Sequence, residues 1–306
     1  MIIHIFIINP TAGGKDRSEN IRKFLERKEK FQYLVFDTEA QGQEQEIIQK
    51  MLKLFEGDAV RFYICGGSGT FYNCISAMNE VEKVEIAQYP CGVTNDFLKV
   101  FGRSRKLFYN MDNLIRGEVR QMDYIKCTDS NALIFASAGI TAKVEQIAHQ
   151  QRLLMSANSG FAYSLAFLIT FLWNPVVDYF VEVDGVDYSG EYEMIYIGNG
   201  LTIGGMYTPF PDADPTDGKL EILMLKKIPN IKLIKFMQNF QRGTLEKTED
   251  RLIIMKGQKI SIRRKDEKDM LFNCDGEMTM KNRMQCEIVP GGMNYVVPRG
   301  AVLFQK

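Results

Sequence analysis

Residues 61–78 read Arg61-Phe-Tyr-Ile-Cys65, then Gly66-Gly-Ser-Gly-Thr70, then Phe71-Tyr-Asn-Cys-Ile-Ser-Ala-Met78. The first five suit a buried strand, the last eight a helix, and three glycines fall between them. A strand that passes into a helix through glycine builds a loop whose backbone N–H groups can close on a phosphate. Glycine is expected there for two reasons. A side chain would hold the anion away from the amides, and a turn of this kind calls for positive φ.

Outward from this loop, the first 125 residues alternate strand-like and helix-like segments. Met1-Ile-Ile-His-Ile-Phe-Ile-Ile8 is apolar, has no basic leader or cleavage site, and ends in Asn9-Pro10, so it reads as a buried first strand. A helix should begin near Ser18, its hydroxyl serving as the cap, with Ile21, Phe24 and Leu25 turned inward. Next come a strand over 31–36 and a helix with Ile47, Ile48, Met51, Leu52 and Phe55 at three- and four-residue spacing. Strand 59–65, the glycine loop and its helix, strand 84–89, a turn and helix, and a helix over 106–116 complete the series. Strands separated by single helices imply βαβ units and a mainly parallel sheet.

From about residue 119 the period shortens to two. Segments 119–126, 132–137, 176–184, 186–197, 220–225, 252–263, 270–274 and 285–289 read as strands. Asp184-Gly185 and Asp275-Gly276 are hairpin dipeptides. Helices are few: one near 142–151, the apolar stretch Gly160–Trp173, and Pro229 to Arg242. The expected fold is α/β plus β: an N-terminal three-layer α/β nucleotide-binding domain over 1–124 and a C-terminal antiparallel β-sandwich over 125–294. The last strand, 295–306, is free to return to the first domain.

Thirty-eight basic and thirty-eight acidic residues cancel, so no global field recruits nucleic acid. The six cysteines form no C-x-x-C pair and lie in apolar runs, as reduced core residues of a cytoplasmic protein would. The 160–173 stretch is too short for a bilayer, which needs about 20 residues. It suits either a helix buried against a sheet or one that touches a membrane surface, with Trp173 at its end. Only two histidines, His4 and His149, are present, and neither stands in a cluster suited to a transition metal.

Three loops at the carboxyl ends of first-half strands would meet on one sheet edge, where open α/β sheets bind ligands. They are Asn9-Pro-Thr-Ala-Gly-Gly-Lys15, Gly66-Gly-Ser-Gly-Thr70 and Pro90-Cys-Gly-Val-Thr-Asn-Asp-Phe97. In this order they resemble the diacylglycerol kinase catalytic-domain family, which includes bacterial lipid kinases and sphingosine kinases and shares its middle motif with NAD kinases. The resemblance continues through Gly198-Asn-Gly200, Gly204-Gly-Met206 and Pro211-Asp-Ala-Asp-Pro-Thr-Asp-Gly218 to Asp275-Gly-Glu277, nearly the whole chain.

What the resemblance implies is a kinase that binds ATP and Mg²⁺ and phosphorylates the hydroxyl of diacylglycerol or a related lipid. Phosphate would rest on Asn9, Pro10, Thr11, Ala12 and Gly13 and on Gly66, Gly67, Ser68, Gly69 and Thr70. Thr38 and Thr94 match nucleotide-contact positions, and Glu277 matches the general base. Asp214 and Asp217, with the carbonyl of Lys219, match the ligands of a structural magnesium ion. By spacing alone, Asp275-Gly-Glu277 is better explained as just a hairpin turn, and the acidic loop can equally be a solvated one.

The chain departs from the family pattern in places. Ser68 replaces an Asp, Asn73 stands where many members carry Glu, and Val93 replaces a Thr beside Thr94. Losing a charge that organises Mg²⁺ around ATP commonly costs about 10²–10⁴ in rate. Asp96 and Asp123 remain as carboxylates able to join that network. Three functions therefore stay open: a lipid kinase, a catalytically silent nucleotide- and lipid-binding protein, and a kinase for a soluble acceptor such as NAD. Membrane contact would be peripheral and local.

Overall fold

A computed structural model describes residues 2–28, 31–40, 42–78, 81–139, 176–245 and 251–304. The helices expected near 142–151 and over 160–173, with His149 and Trp173, lie outside the described residues. The chain divides into two compact units, Met1–Tyr124 with Pro290–Lys306, and Ile125–Val289.

The first unit is a parallel α/β layer structure. Its strands are β1 (Ile3–Ile8), β2 (Tyr33–Asp37), β3 (Val60–Gly66) and β4 (Glu85–Pro90). Its helices are α1 (Ser18–Glu26), α2 (Gln43–Leu54), α3 (Ser68–Ser76) and the short α4 (Met111–Ile115). All four strands pair in parallel in the order β2–β1–β3–β4, and Asn294 and Tyr295 add the chain's last strand beside β4. Every residue of β3 is buried, which is why its sequence is apolar from Phe62 on rather than alternating, and the one charge, Arg61, is paired with Glu85. The strand order reverses at β1: the chain leaves it toward β2 on one side and returns to β3 on the other. The carboxyl ends of β1 and β3 therefore flank the crevice where such sheets hold ligands.

The returning strand is anchored by Tyr295. Its fully buried ring lies 5.1 Å from Phe97 and 6.1 Å from Phe71, Phe101 and Phe108, centroid to centroid. Its hydroxyl reaches Gln88 Oε1 at 3.3 Å, so the one polar atom in this aromatic cluster has a partner.

Two local expectations give way. Ser18 is the first helical residue of α1 rather than its cap, and its N–H donates to Asp16 Oδ1 at 2.8 Å. The helix expected over 106–116 is instead a 3₁₀ run, Asp96–Tyr109, followed by α4. Gly102, at φ 51° and ψ −126°, kinks that run, and Asn110 restarts the helix by accepting from the Asn113 N–H at 3.2 Å.

His4 sits within β1, its Nδ1 2.9 Å from the Tyr63 hydroxyl and its ring 4.2 Å from that of Phe31. Burial first, then the Arg61 guanidinium, pull the imidazole down to about 4 from its ordinary 6.5. The folded state thus holds His4 neutral, while the unfolded chain protonates it near 6.5. Stability from this group is complete above that value and lost as pH falls toward about 4. His4→Phe should flatten the decline in urea midpoint between pH 6.5 and 4.5 relative to the parent chain. An unchanged slope would remove His4 as its cause.

The second unit is antiparallel. The chain enters it on β5 (Glu118–Cys127) and adds β6 (Asn131–Ala132), β7 (Phe135–Gly139) and β8 (Val177–Val183). Then come β9 (Val186–Asp187), β10 (Gly190–Tyr192), β11 (Met194–Gly198) and β12 (Leu220–Leu225). Helix α5 (Asn230–Arg242) precedes β13 (Leu252–Gly257), β14 (Lys259–Arg264), β15 (Met270–Cys274), β16 (Glu277–Lys281) and β17 (Arg283–Val297). One sheet runs β13–β12–β11–β7–β15–β16; the other runs β10–β8–β14–β17, with β5, β6 and β9 attached. A single core joins their inner faces, with Val181, Ile260 and Cys286 from one sheet and Ala136, Ile195, Ile222 and Phe272 from the other. That is a β-sandwich.

Three runs read as single strands are divided or merged. The 252–263 run breaks after Gly257, because β13 belongs to one sheet and β14 to the other. The Asp184 carboxylate holds the corner, accepting from the N–H of Gln258 at 3.0 Å and of Lys259 at 2.8 Å. The 186–197 run splits into β9, β10 and β11 where Asp187 accepts from the Ser189 N–H at 2.8 Å. Conversely, Pro290-Gly291-Gly292 does not interrupt the last strand. β17 runs through it, antiparallel to β14 at its start and parallel to β4 near its end.

Candidate functional site

Three loops of the first unit converge at the carboxyl ends of β1, β3 and β4, around a cavity of about 480 Å³. Asn9, Thr11, Ala12 and Gly13 form one wall; Gly67, Ser68, Gly69 and Thr70 form the next; Gly92, Val93 and Thr94 form a third. Thr38, Glu39 and Ala40, beyond β2, with Glu44 and Asn73 complete the lining.

No glycine of the central loop has positive φ, which corrects the expectation there; Gly66 and Gly67 are held by crowding, while Gly69 faces open space. Gly67 caps α3 in extended geometry, φ −89° and ψ −173°. A Cβ on Gly92 would lie 2.3 Å from the Gly67 Cα, one on Gly66 would lie 2.5 Å from Thr70 Cβ, and one on Gly13 would meet the Cys91 carbonyl oxygen at 2.3 Å. Positive φ belongs to the first loop, at Gly13 (68°) and Gly14 (70°). The loops touch backbone to backbone, so their amides crowd one small volume.

Hydrogen bonds lock this arrangement. Asn9 Nδ2 donates to Thr70 Oγ1 at 2.9 Å, and Asn9 Oδ1 accepts from the Thr11 N–H at 3.0 Å and hydroxyl at 2.8 Å. The Thr38 N–H donates to the Ile8 carbonyl at 2.8 Å, fixing the corner after β2 to the end of β1. The N–H of Cys91 donates to the Gly66 carbonyl at 2.9 Å. Ser68 is the first residue of α3, so its hydroxyl stands at the helix N-terminus, where the dipole favours an anion. That hydroxyl lies 3.0 Å from Thr94 Oγ1 and accepts from the Asp96 N–H at 3.0 Å. The residue that departs from the family pattern is therefore the tie between the second and third loops.

Of the residues expected here, Asn9, Thr11, Ala12, Gly13, Thr38, Gly67, Ser68, Gly69, Thr70 and Thr94 are brought to the cavity wall, while Pro10 and Gly66 do not line it. Asp96 and Asp123 do not line it. Asp96 is 3% exposed and pairs with Lys99 at 3.2 Å. Asp123 lies inside β5, 1% exposed, and accepts from the Gly291 N–H at 2.7 Å. The wall also holds residues that were not among the expected nucleotide contacts, Glu44 among them. Glu44, on the first turn of α2, is buried and accepts from Asn73 Nδ2 at 2.7 Å. Its polarity on a helix face otherwise read as apolar was the available signal.

In the second unit, Asp275-Gly276 forms the two-residue turn between β15 and β16, with Asp275 at φ 50° and Gly276 at φ 98°. The two members of the Asp-Gly-Glu motif do different things. Asp275 is buried, and its carboxylate accepts from the backbone N–H groups of Leu133, Ile134 and Phe135, the last at 2.9 Å. Asn273 Oδ1 accepts from the Gly276 N–H at 2.7 Å. This turn presents Glu277, half-buried, as the first residue of β16.

In the acidic loop, Asp214 Oδ1 accepts from the Thr216 N–H at 2.9 Å and hydroxyl at 2.6 Å. Asp217 Oδ1 accepts from the Lys219 N–H at 3.0 Å. The Lys256 ammonium pairs with Asp217 Oδ2 at 2.9 Å and with Glu221 Oε1 at 2.8 Å. Desolvation would lower the lysine's pKa, but hydrogen bonds to those two carboxylates raise it overall, so Lys256 stays charged. Two carboxylates and the Lys219 carbonyl are a hard-oxygen set that suits Mg²⁺ or Ca²⁺, and a cation there would share Asp217 with Lys256.

A family model for the diacylglycerol kinase catalytic domain matches residues 4–127, and one for the YegS C-terminal NAD kinase beta sandwich-like domain matches 135–297. A provisionally named lipid kinase of Staphylococcus carnosus is 30% identical over 178 residues, 57% of this chain and 56% of that protein. The match thus spans little more than half of that relative's length. A similarly named protein of Staphylococcus aureus is 25% identical over 244 residues, 79% of this chain and 78% of the relative. Among solved structures, a diacylglycerol kinase of Bacillus anthracis superposes with a TM-score of 0.71 at 20% identity, covering 98% of each chain. A second structure from that organism gives 0.74 at 20% identity with the same coverage. At such identity these two speak for the fold alone.

Proposed function

The chain belongs to the diacylglycerol kinase catalytic-domain family, and from that premise we propose that it is a lipid kinase that transfers the γ-phosphoryl group of ATP to a lipid hydroxyl. The observation that carries the nucleotide part is the backbone-to-backbone packing of three loops at the sheet's switch point, with no room for a side chain at Gly13 and Gly92 and little at Gly67. The N–H groups of Thr11 and Ala12 are taken up by Asn9, so the amides of Gly13 and of Ser68 to Thr70 would be the ones to donate to phosphate oxygens. Glu277 would accept the proton of the lipid hydroxyl as its oxygen bonds to the γ-phosphorus and the β–γ bridge breaks, releasing ADP.

Magnesium bound with ATP would offset the charge that develops on the transferring phosphoryl group. Asp96 and Asp123 are not on the cavity wall, so any part they take in holding that ion would be indirect. At the acidic loop, Asp214, Asp217 and the Lys219 carbonyl would hold a second, structural ion. Lys256 already supplies positive charge there, so magnesium should stabilise Lys256→Met more than the parent chain. An ion at tenfold its dissociation constant contributes about 1.4 kcal/mol. Equal shifts in melting temperature for the two proteins would count against an ion at this loop.

Incubation with labelled ATP, magnesium and mixed micelles containing diacylglycerol should yield labelled lipid. A second reading is favoured by Ser68, whose hydroxyl is engaged by Thr94 and Asp96 and carries no charge. On that reading the protein binds nucleotide and lipid without turnover, and the micelle assay gives ATP binding without labelled lipid. Label on a soluble acceptor alone would point to the NAD-kinase side of the family. Among the described residues no helix is long and apolar enough to cross a membrane, so the lipid would be met by surface contact.

A further inference from the structure

The cavity contains one feature that phosphate binding does not use. Among the described residues it is lined by no lysine, arginine or histidine, yet it holds a buried carboxylate, Glu44, only 4% exposed. Asn73 Nδ2 donates to Glu44 Oε1 at 2.7 Å and fixes the carboxylate plane. Among the described residues the other oxygen accepts no hydrogen bond, although the residue forms part of the cavity wall. A carboxylate oxygen on the cavity wall that the protein itself does not engage is open to a donor supplied by a ligand.

Position narrows what that donor is. The phosphate end of the cavity is the N-terminus of α3, at Ser68. Asn73 lies five residues further along the same helix, a rise of about 7.5 Å. A second phosphate at that distance would meet a negative charge. A group rich in hydroxyls would meet an acceptor, as in dinucleotide-binding folds, where a carboxylate beyond the second strand accepts from the ribose. Glu44 likewise follows β2, on the first turn of α2.

We propose that Glu44, oriented by Asn73, accepts hydrogen bonds from the ribose hydroxyls of the bound nucleotide, so that the site selects ribonucleotides over deoxyribonucleotides. This rests on the nucleotide reading of the cavity. It assigns Glu44 a part in specificity and leaves the phosphoryl transfer itself to other groups.

The test is calorimetric binding of ATP, 2′-deoxy-ATP and 3′-deoxy-ATP, each with magnesium, to the intact protein and to Glu44→Gln. The parent protein should bind ATP about ten- to a hundredfold more tightly than at least one deoxy analogue, as expected for a hydrogen bond to a charged acceptor. Glu44→Gln should bind all three with similar affinity. Asn73→Ala, which frees the carboxylate without removing it, should lose part of the discrimination and decides the matter if Glu44→Gln does not fold. Equal affinity of the parent for all three triphosphates overturns the ribose assignment and leaves the nucleotide reading standing. Failure to bind any of them overturns the nucleotide reading itself. A Glu44→Gln protein weakened equally for all three, with its preference intact, overturns the assignment in favour of a role through the metal.

Discussion

Glu277→Gln is expected to lower lipid phosphorylation by about 10²–10⁴, the usual contribution of a positioned general base, while nucleotide affinity and melting temperature stay near those of the parent. The substitution keeps the size of the side chain and the Cys274–Glu277 register of the hairpin, and deletes only the proton acceptor. Its neighbour is the control. Asp275 takes three backbone N–H groups from Leu133, Ile134 and Phe135, so Asp275→Ala should cost stability through buried, unpaired amides, about 1–3 kcal/mol for each group left unsatisfied. Two carboxylates two residues apart would then fail differently, one in rate and one in folding. Micelle assays beside thermal melts separate them. Turnover of Glu277→Gln at the parental rate would remove Glu277 as the base.

What the sequence made legible follows the strength of its local signals. The buried runs Ile3–Ile8 and Val60–Gly66, and the helices between them, could be placed because a doubly covered parallel strand is continuous and apolar, while its helices repeat at 3.6. Both hairpin dipeptides announce themselves because φ > 0 at two successive residues admits few others. The strand that changes sheets after Gly257 could not be read. Its corner is made by Asp184, some seventy positions earlier, and nothing local distinguishes it from a long edge strand. The 3₁₀ run over 96–109 was hidden for a related reason: its buried phenylalanines fit a helical period, and Tyr295 from the far end of the chain fixes how they pack.

The candidate site was legible to the extent that its chemistry is carried by glycine. Loop positions at Gly13, Gly67 and Gly92 followed from spacing, but the reason for glycine at Gly67 and Gly92 is a contact between two loops, which no single segment displays. Ser68 stood out as a departure, yet its role as the tie between Thr94 and the Asp96 N–H depends on the third loop's path. Glu44 gave only a weak signal, its place on the apolar face of α2, because a glutamate on an amphipathic helix ordinarily faces water, and the fold is what turns it toward Asn73.

Gly67→Val should abolish nucleotide binding, and with it every activity proposed for this cavity. A Cβ at Gly67 would lie 3.2 Å from the Gly92 Cα, already tight, and the two further carbons of valine should take space on the cavity wall between the second and third loops, next to the first amides of α3. Removing two amide contacts to a charged phosphate, at about 1.5–3 kcal/mol each, corresponds to about 10²–10⁴ in affinity. Extended backbone at this position, φ −89°, is open to valine, so the effect is steric and arises at the anion, not in the dihedral. Gly69→Ala isolates binding from folding. Its Cβ would meet no protein atom within 4 Å, and alanine within a helix is worth about 1 kcal/mol over glycine, so the protein should be at least as stable. Because Gly69 lines the cavity, the added methyl should still weaken the nucleotide if that open space is the ligand's. Equilibrium titration of ATP into both variants, with melting curves alongside, decides it. Full ATP affinity in a folded Gly67→Val protein would show that the phosphates lie elsewhere, and the assignments of Thr11, Ser68, Thr70 and Glu44 would fall together.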